Sequence, residues 1–299
     1  MSDLFPGFDH RRIPVEGIEI NLRIGGAGAP LLLLHGYPET HACWHHLAPR
    51  LAESFRLVLP DLPGYGDSSF VEPDAANRRY SKRNMAAVMV ALMRALGHER
   101  FRLVGHDRGA RVAYRLALDH ADRVERLALL DILPTSEEWA RFDKDEALAT
   151  FHWPFLAQPD GLPERLIAAE PDFFLRSLMN RWAGDPARIA PEALAEYLRC
   201  FRRESVIRAT CADYRAGATT DLEDDEADRV AGHRIACPTL LLWSKGRGDI
   251  LPVWRRWASD LRGEAIACGH FLQEEAPQAV LARLLPFLGQ GLPGRVAPG

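Results

Sequence analysis

Short apolar runs of strand length alternate along the chain with segments of helical periodicity. Residues 81–96 and 108–120 carry apolar positions at helical spacing, and two short runs near the start flank the turn-like pair Glu16-Gly17, which predicts a hairpin. Continuous apolar strands separated by helices are typical of a mostly parallel sheet covered on both faces. The predicted fold class is therefore α/β. The runs that predict strands are residues 12–15, 18–24, 30–35, 56–60, 102–105, 126–130, 239–243 and 265–267.

The alternation stops between Asp131 and Cys237. This stretch is rich in aromatic residues, and prolines at positions 134, 154, 159, 163, 171, 186 and 191 divide it into short segments. We therefore expect several short helices that form a cap inserted into the sheet domain. The expected division is residues 1–132 and 237–288 for the core, 133–236 for the helical cap and 289–299 for a disordered tail.

Composition narrows the class of protein without identifying an activity. The 299 residues are 47% hydrophobic and 26% charged, and the net charge of −4 gives no general attraction to nucleic acid or to an anionic membrane. The five cysteines are far apart and show neither metal-ligand nor redox spacing. No apolar stretch approaches the roughly 18 residues of a membrane span, and the first residues lack a secretory signal. We expect a cytoplasmic protein with reduced thiols and no metal.

The segment 105–109, Gly-His-Asp-Arg-Gly, joins an apolar strand to a predicted helix. Two glycines flank its central residue at the spacing of the nucleophile elbow G-x-S-x-G, with Asp107 in the place of serine. Glycine is needed there because a sharp turn packs closely around the side chain that it exposes. Such a turn is a weak signal alone, but it gains strength from the segments that surround it.

Three further segments follow predicted strands in the order that an α/β-hydrolase requires. Residues 35–38 include Tyr37 and occupy the position of the oxyanion loop, residues 61–68 form a glycine-rich turn, and His270 follows the last strand, where the catalytic histidine belongs. The chain resembles the α/β-hydrolase superfamily over nearly its whole length. This resemblance implies an α/β-hydrolase fold, a mostly parallel sheet flanked by helices.

An aspartate at the nucleophile position changes the chemistry. A carboxylate attacks a saturated carbon that bears a leaving group and gives an alkyl-enzyme ester. His270 would then activate water to hydrolyse that ester. Organohalides and epoxides both fit, whereas a serine-type esterase would need serine at position 107. Two carboxylates can support the histidine: Asp131 at the end of a predicted strand, which we favour, and Asp249 in the loop after another.

Arg108 and Arg111 lie three residues apart near the start of the helix after the elbow, and therefore on one face. Two guanidiniums beside the nucleophile can bind a substrate carboxylate and hold the adjacent carbon in front of Asp107. The alternative is that one of them only pairs with a structural Asp or Glu.

The segment 106–111, His-Asp-Arg-Gly-Ala-Arg, resembles the fluoroacetate dehalogenases, the haloacetate branch of the α/β-hydrolases. The resemblance continues through residues 130–132, 151–159, 213–217 and 269–272, and so includes both the core and the cap. It implies Asp107 as nucleophile, His270 as base and Asp131 as its acid, with Arg108 and Arg111 on the substrate carboxylate.

The same resemblance assigns His152, Trp153 and Tyr214 as hydrogen-bond donors to the departing fluoride, and it suggests Trp182 as a pocket residue. An imidazole, an indole and a phenol can all supply such donors. Tyr37 departs from the phenylalanine usual in the family and adds a hydroxyl near the oxyanion loop. The implied reaction is hydrolysis of a small haloacid, fluoroacetate to glycolate, without a cofactor and in a homodimer.

Several alternatives remain at this point. A preference for chloroacetate would use the same residues. An epoxide hydrolase would use Asp107 and His270 with two cap tyrosines, such as Tyr197 and Tyr214, but it leaves the arginine pair unexplained. Haloalkane dehalogenases carry Trp directly after the nucleophile, where this chain has Arg108. A non-enzymatic receptor or scaffold predicts a broken constellation, and here it is intact.

Overall fold

The computed structural model describes residues 4–291. Within them, eight strands form one sheet in the order β1-β2-β4-β3-β5-β6-β7-β8. Strand β2 is antiparallel to both of its neighbours, and all other pairs are parallel. This arrangement confirms the predicted α/β-hydrolase fold class. The strands are β1 (Asp9–Val15), β2 (Ile18–Gly25), β3 (Ala29–Leu34), β4 (Phe55–Pro60), β5 (Phe101–His106), β6 (Val124–Leu130), β7 (Thr239–Ser244) and β8 (Leu261–Ile266).

The helices follow the strands in the order that the sequence pattern predicts. Helix α3 begins at Asp107 itself, one residue before the predicted start. The helices are α1 (Ala48–Ala52), α2 (Lys82–Ala95), α3 (Asp107–Asp119), α4 (Thr135–Ala140), α5 (Lys144–Ala149), α6 (His152–Leu156), α7 (Leu162–Ala169), α8 (Pro171–Trp182), α9 (Pro191–Phe201), α10 (Glu204–Gly217), α11 (Thr220–Ala231), α12 (Leu251–Trp254), α13 (Leu272–Glu275) and α14 (Pro277–Gly289), with short 3-10 helices at His41–Trp44, Arg78–Tyr80, Pro186–Arg188 and Lys245–Arg247.

The centre of the sheet is buried on both faces. Leu33 of β3 is in register with Val104 of β5, which pairs with Ala128 of β6, and Ala128 pairs with Leu240 of β7. Three of these side chains have no exposed surface and Leu240 has 5%. Helix α3 lies against β5 and β6, and α2 lies against α3. A sheet covered on both faces explains why these strands read as continuous apolar runs.

The edges of the sheet differ from the sequence prediction. Strand β1 begins at Asp9 rather than at residue 12, and β8 spans Leu261–Ile266, whereas the prediction began at residue 265. Both strands are at the edge of the sheet, and most of their side chains are at least partly exposed. Polar residues are therefore tolerated there, and a search for apolar runs misses them.

The chain between β6 and β7 is helical, with α4 to α11 and no strand in residues 131–238. The division of the chain into a core and a cap at residues 132 and 236 stays a prediction. Helix α14 continues to Gly289, and most of the predicted tail, from residue 292 onward, lies outside the described residues. Among residues 4–291, no helix is long and apolar enough to cross a membrane.

The parallel strands deliver the predicted catalytic side chains to one edge of the sheet. Asp107 directly follows β5, Asp131 directly follows β6, and His270 comes four residues after the end of β8. Loops at the carboxyl ends of parallel strands are where α/β sheets bind ligands. A functional site is therefore expected at the carboxyl ends of these strands.

Candidate active site

The turn at Asp107 has the strained geometry of a nucleophile elbow. Asp107 has a φ of 44°, which L-residues rarely adopt. A side chain at Gly109 could not fit, because its Cβ would lie 2.3 Å from the carbonyl oxygen of His35. At Gly36 a Cβ would lie 2.6 Å from that of Asp107. The glycines therefore let the backbone close around a side chain that stays 13% exposed.

The three predicted catalytic residues, Asp131, His270 and Asp107, lie side by side in that order. Nδ1 of His270 lies 2.7 Å from Oδ2 of Asp131, and Nε2 of the same ring lies 3.8 Å from Oδ1 of Asp107. The contact with Asp131 orients the ring so that its other nitrogen faces the nucleophile. A gap of 3.8 Å is longer than a hydrogen bond and leaves His270 free to contact a water molecule.

Asp131, and not Asp249, contacts the histidine. Oδ1 of Asp131 accepts the backbone N–H of Ser244 at 2.7 Å, and Nε of Arg247 lies 3.4 Å from the same oxygen. Burial alone would raise the pKa of Asp131, but Arg247 and these hydrogen bonds bring it well below its usual value. Asp249 is exposed and accepts the N–H of Leu251 at 3.0 Å instead.

The environment of Asp107 keeps its carboxylate ionised. Burial by itself would raise the pKa, but His270, His106 and two arginines lower it to about 2. The backbone N–H of Tyr37 donates to Oδ2 of Asp107 at 3.0 Å. This N–H comes from the loop that the sequence predicts to hold an oxyanion, and it leaves Oδ1 as the freer oxygen.

His106, directly before the nucleophile, is a residue whose role the sequence did not reveal. It is fully buried, with Nδ1 2.8 Å from a carboxylate oxygen of Glu39 and Nε2 2.8 Å from the carbonyl oxygen of His270. Both partners are acceptors, so both ring nitrogens carry protons. Burial opposes this charge, but Glu39 outweighs it and the pKa of His106 rises to about 9.

The two predicted carboxylate-binding arginines have different surroundings. Arg108 is fully buried and forms a two-pronged ion pair with Asp213, at 2.9 Å from Nε and 2.7 Å from Nη2. Asp213 also accepts from Lys82 and, at 2.6 Å, from the hydroxyl of Tyr65. Only Nη1 of Arg108 is left without a partner among the described residues. The structural pairing that the sequence left open therefore holds for Arg108.

The positive charge of Arg111 is not neutralised by an ion pair with any carboxylate of residues 4–291, unlike that of Arg108. It is 1% exposed, and Nη1 donates to the carbonyl oxygen of Leu133 at 2.8 Å, with the hydroxyl of Thr135 at 3.4 Å. Its guanidinium lies 4.5 Å from the ring centre of Trp153. Nε has no partner, and no carboxylate of residues 4–291 forms an ion pair with Arg111. A buried cation without a paired anion is costly, and an anionic ligand would offset that cost.

The predicted halide donors form an aromatic group. The ring of His152 lies 5.6 Å from that of Tyr214, and the rings of Trp153 and Tyr214 are 6.0 Å apart. Burial is the main reason that the pKa of His152 falls to about 3, so its imidazole is neutral, and Nδ1 has no partner among residues 4–291. Trp182 lies 4.4 Å from His152 between ring centres. The structure thus brings all four residues together.

Most of these side chains line one cavity of about 610 Å³. Arg108, Tyr214 and Tyr37 are not among its lining residues, although each contacts one or more of them. The buried hydroxyl of Tyr37 has no partner in the part of the chain that the structure describes. The predicted site residues that line the cavity are Asp107, Arg111, Asp131, His152, Trp153, Trp182 and His270.

The structure adds functional neighbours that the sequence did not single out, namely Glu39, Arg247, Asp213 and Glu275. Glu39, Arg247 and Asp213 each contact a predicted residue, or the turn that holds one, from a distant point of the chain. Glu275 is close in the chain to the loop of His270 and accepts the N–H of Gly269. Only Asp213 had a local signal, because it begins the segment 213–217 that carries part of the family resemblance.

One group within residues 4–291 has atoms close enough to hold a metal ion: Asp67, Glu196 and Cys200, within 4.8 Å of one another. Arg199 forms ion pairs with both carboxylates at 2.6 Å. None of the three residues lines the cavity that contains Asp107. The group therefore has no part in the chemistry of that cavity.

Comparison with known proteins places this geometry in a family. The family model described as the alpha/beta hydrolase fold matches residues 29–277. A fluoroacetate dehalogenase from Burkholderia sp is 41% identical over 97% of this chain and 97% of its own length. A soluble epoxide hydrolase from Corynebacterium sp. (strain C12) is 32% identical over 93% of this chain and 96% of its own.

A solved structure from Nostoc sp PCC 7120, described as an α/β hydrolase, shares 50% identity. It superposes with a TM-score of 0.92 over 95% of this chain and 98% of that one. These findings confirm the resemblance drawn from the sequence. The chain is a hydrolase of the α/β-hydrolase superfamily and belongs to the fluoroacetate dehalogenase family within it.

Proposed function

We propose that this hydrolase cleaves the carbon–halogen bond of haloacetates, with fluoroacetate as the main substrate and glycolate and halide as products. The observation that carries the proposal is Arg111. Its guanidinium is buried, forms no ion pair with a carboxylate in the described part of the chain, and lines the same cavity as Asp107. A substrate carboxylate bound there supplies the missing negative charge and holds the adjacent carbon near the nucleophile. Nη1 of Arg108 also has no partner among residues 4–291, but Arg108 does not line the cavity, so the proposal assigns the substrate carboxylate to Arg111.

In the first step, Oδ1 of Asp107 attacks the α-carbon and the halide leaves with the electron pair of the carbon–halogen bond. The product is an ester between Asp107 and the acetate carbon. His152 and Trp153 line the cavity and supply N–H donors for the leaving halide. Fluoride needs such donors most, because its charge is the most concentrated.

In the second step, water attacks the carbonyl carbon of the ester while His270 accepts its proton. Asp131 stabilises the resulting imidazolium through the 2.7 Å contact with Nδ1. Oδ2 of Asp107 becomes the oxyanion, and the N–H of Tyr37 already donates to that oxygen. Collapse releases glycolate and restores the carboxylate, and the proton passes from His270 to solvent.

An epoxide hydrolase fits less well. That reaction needs two acidic hydroxyls near the nucleophile, and Tyr197 and Tyr214 were the candidates. The hydroxyl of Tyr197 is buried and donates to Glu274 at 2.7 Å, so it is engaged elsewhere. The unpaired Arg111 has no function with an uncharged epoxide. Chloroacetate and fluoroacetate would use the same residues, so a measurement of halide release decides which of the two is preferred.

The test compares halide release from fluoroacetate and chloroacetate, measured with ion-selective electrodes, with turnover of a panel of epoxides and uncharged haloalkanes. We expect release of both halides and no epoxide turnover. Epoxide turnover without halide release from either acid would contradict the proposal. Chloride release without fluoride release would restrict it to chloroacetate.

A further inference from the structure

Glu275 contacts two separate segments beside the active site. Its carboxylate is mostly buried and accepts four backbone N–H groups. Oε2 accepts from Gly184 at 2.8 Å, Asp185 at 3.1 Å and Gly269 at 3.1 Å, and Oε1 accepts from Phe271 at 3.1 Å. Two of these donors lie just after helix α8, and the other two flank His270 in the chain.

The two segments also touch directly. A Cβ on Gly269 would lie 2.0 Å from the backbone nitrogen of Gly184, so no side chain fits between them. The N–H of His270 donates to the carbonyl oxygen of Trp182 at 2.9 Å. Trp182 lines the cavity as well. The loop that carries the histidine is therefore joined to the end of α8 and the residues after it both directly, through the bond to Trp182, and indirectly, through Glu275.

We infer that Glu275 is a positioning residue, which fixes the loop of His270 to the segment after α8 and so sets the place of the base relative to Asp107. Four converging N–H groups need a charged acceptor with two oxygens, and no basic side chain of residues 4–291 forms an ion pair with Glu275. Without that acceptor, these donors would be left unsatisfied between the two segments.

The inference rests on the proposed function and assigns Glu275 to one of its two steps. His270 is one of four groups that lower the pKa of Asp107, and His106, Arg108 and Arg111 act on it as well. A carboxyl with an ordinary pKa of about 4 is already ionised at neutral pH, so formation of the ester does not depend on the exact place of His270. Hydrolysis of the ester does, because water must be activated at a defined distance from the carbonyl carbon. A displacement of about 1 Å costs on the order of 100-fold in rate. Loss of Glu275 therefore slows the second step selectively.

The test is Glu275→Gln, which keeps the shape of the side chain but replaces one acceptor oxygen with an NH2 group. With chloroacetate, we expect kcat to fall about 10- to 100-fold, in line with the cost of misplacing a catalytic group. KM should fall in parallel, so that kcat/KM changes little. Intact-mass analysis during turnover should show the ester on Asp107, and rapid mixing should show a burst of chloride.

Glu264→Gln is the matched control, because Glu264 is an exposed glutamate whose carboxylate pairs with Arg283. Glu275→Asp, which keeps the charge but shortens the reach, should also accumulate ester and serves if the glutamine variant fails to fold. A parallel fall of kcat and kcat/KM without ester in the folded variants, or unchanged kinetics, would overturn the inference.

His270→Asn separates this inference from the proposed function. Under the proposed function, that variant traps the ester on Asp107 after exposure to chloroacetate. If it traps no ester, the proposed function itself fails. If it traps ester while folded Glu275 variants do not accumulate any, only the assignment of Glu275 fails.

Discussion

Arg108 and Asp213 form a fully buried ion pair through two parallel hydrogen bonds, from Nε to Oδ2 at 2.9 Å and from Nη2 to Oδ1 at 2.7 Å. The pair joins the helix that follows the nucleophile to helix α10. The positive charge of Arg108, one of the two predicted substrate-binding arginines, is therefore already largely neutralised by Asp213. Asp213 in turn contributes to the stability of the fold.

Asp213→Ala should therefore destabilise the protein strongly. Arg108 would remain as a buried cation without its partner, and Lys82 would keep only Asp221. Removal of one partner of a buried pair typically costs about 3–5 kcal/mol of the free energy of unfolding. Denaturant titration measures this loss. Asp172→Ala, which removes an exposed ion pair with Arg202, should leave stability nearly unchanged, and a similar result for Asp213→Ala would contradict the assignment.

Arg111→Ala should remove the preference for a charged substrate. Because no carboxylate among residues 4–291 forms an ion pair with Arg111, its loss should lower kcat/KM for chloroacetate by about 100-fold, as expected for a lost charge-assisted contact. Turnover of chloroacetamide, which lacks the charge, should change much less. Arg141, an exposed arginine of the same cavity, provides the matched Ala variant. Equal losses with both substrates would mean that Arg111 supports the fold rather than the carboxylate.

The pKa of about 2 for Asp107 predicts that the first chemical step depends little on pH. A lowered carboxyl pKa keeps the nucleophile ionised above about pH 4, so the rate of the halide burst should stay within about twofold from pH 4.5 to 8. Rapid-mixing experiments on folded protein measure the rate of this burst. A burst that slows tenfold between pH 6 and 4.5 would show that Asp107 itself titrates there.

His106 predicts a loss of stability at alkaline pH. Its pKa is raised in the folded protein from 6.5 to about 9, so its contribution is complete below about pH 6.5 and disappears as the pH rises through 9. A change of this size corresponds to roughly 3 kcal/mol. The free energy of unfolding, measured from pH 6 to 10, should fall more steeply in the natural protein than in His106→Gln. Parallel curves would argue against a charged His106.

His152→Phe tests the halide donors. The neutral imidazole supplies an N–H that fluoride needs more than bromide does. We expect kcat for fluoroacetate to fall about 100-fold or more, the effect typical of a lost transition-state donor, and kcat for bromoacetate to fall much less. Phe151→Leu, at the partly exposed neighbouring position, is the control. An equal loss for both substrates would assign His152 to packing.

The sequence was sufficient for the parts of the protein that depend on local pattern. Apolar runs located the central strands, and glycine spacing located the turn at Asp107. It also favoured Asp131 over Asp249, because Asp249 lies in a loop beside cations that it can pair with, and the structure places Asp131 beside His270. Strand β8 was too short in the prediction, since an edge strand alternates polar side chains and leaves no apolar run.

What escaped prediction are the partnerships across long distances in the chain. Asp213 meets Arg108 from 105 residues away, and Glu39 meets His106 from 67 residues away. No local pattern encodes such a contact, because it depends on how helices and loops pack on the sheet. The same packing pairs Arg108 with Asp213 but leaves Arg111 facing the cavity. It also places Glu275 where it accepts backbone N–H groups from two segments. The homodimer stays a prediction.

Arg111 is buried in the cavity wall without an ion pair to a carboxylate among residues 4–291, and this makes the charge of the cavity change during the proposed catalytic cycle. In the free protein, Asp107 and Arg111 contribute opposite charges to the cavity. Ester formation removes the negative charge of Asp107, so the cavity then binds the carboxylate of the ester and the released halide more strongly. Hydrolysis restores that charge beside the glycolate carboxylate, and the repulsion between them helps to expel the product. In this cycle, the change in charge of Asp107 favours binding of the anions in one step and release of glycolate in the next.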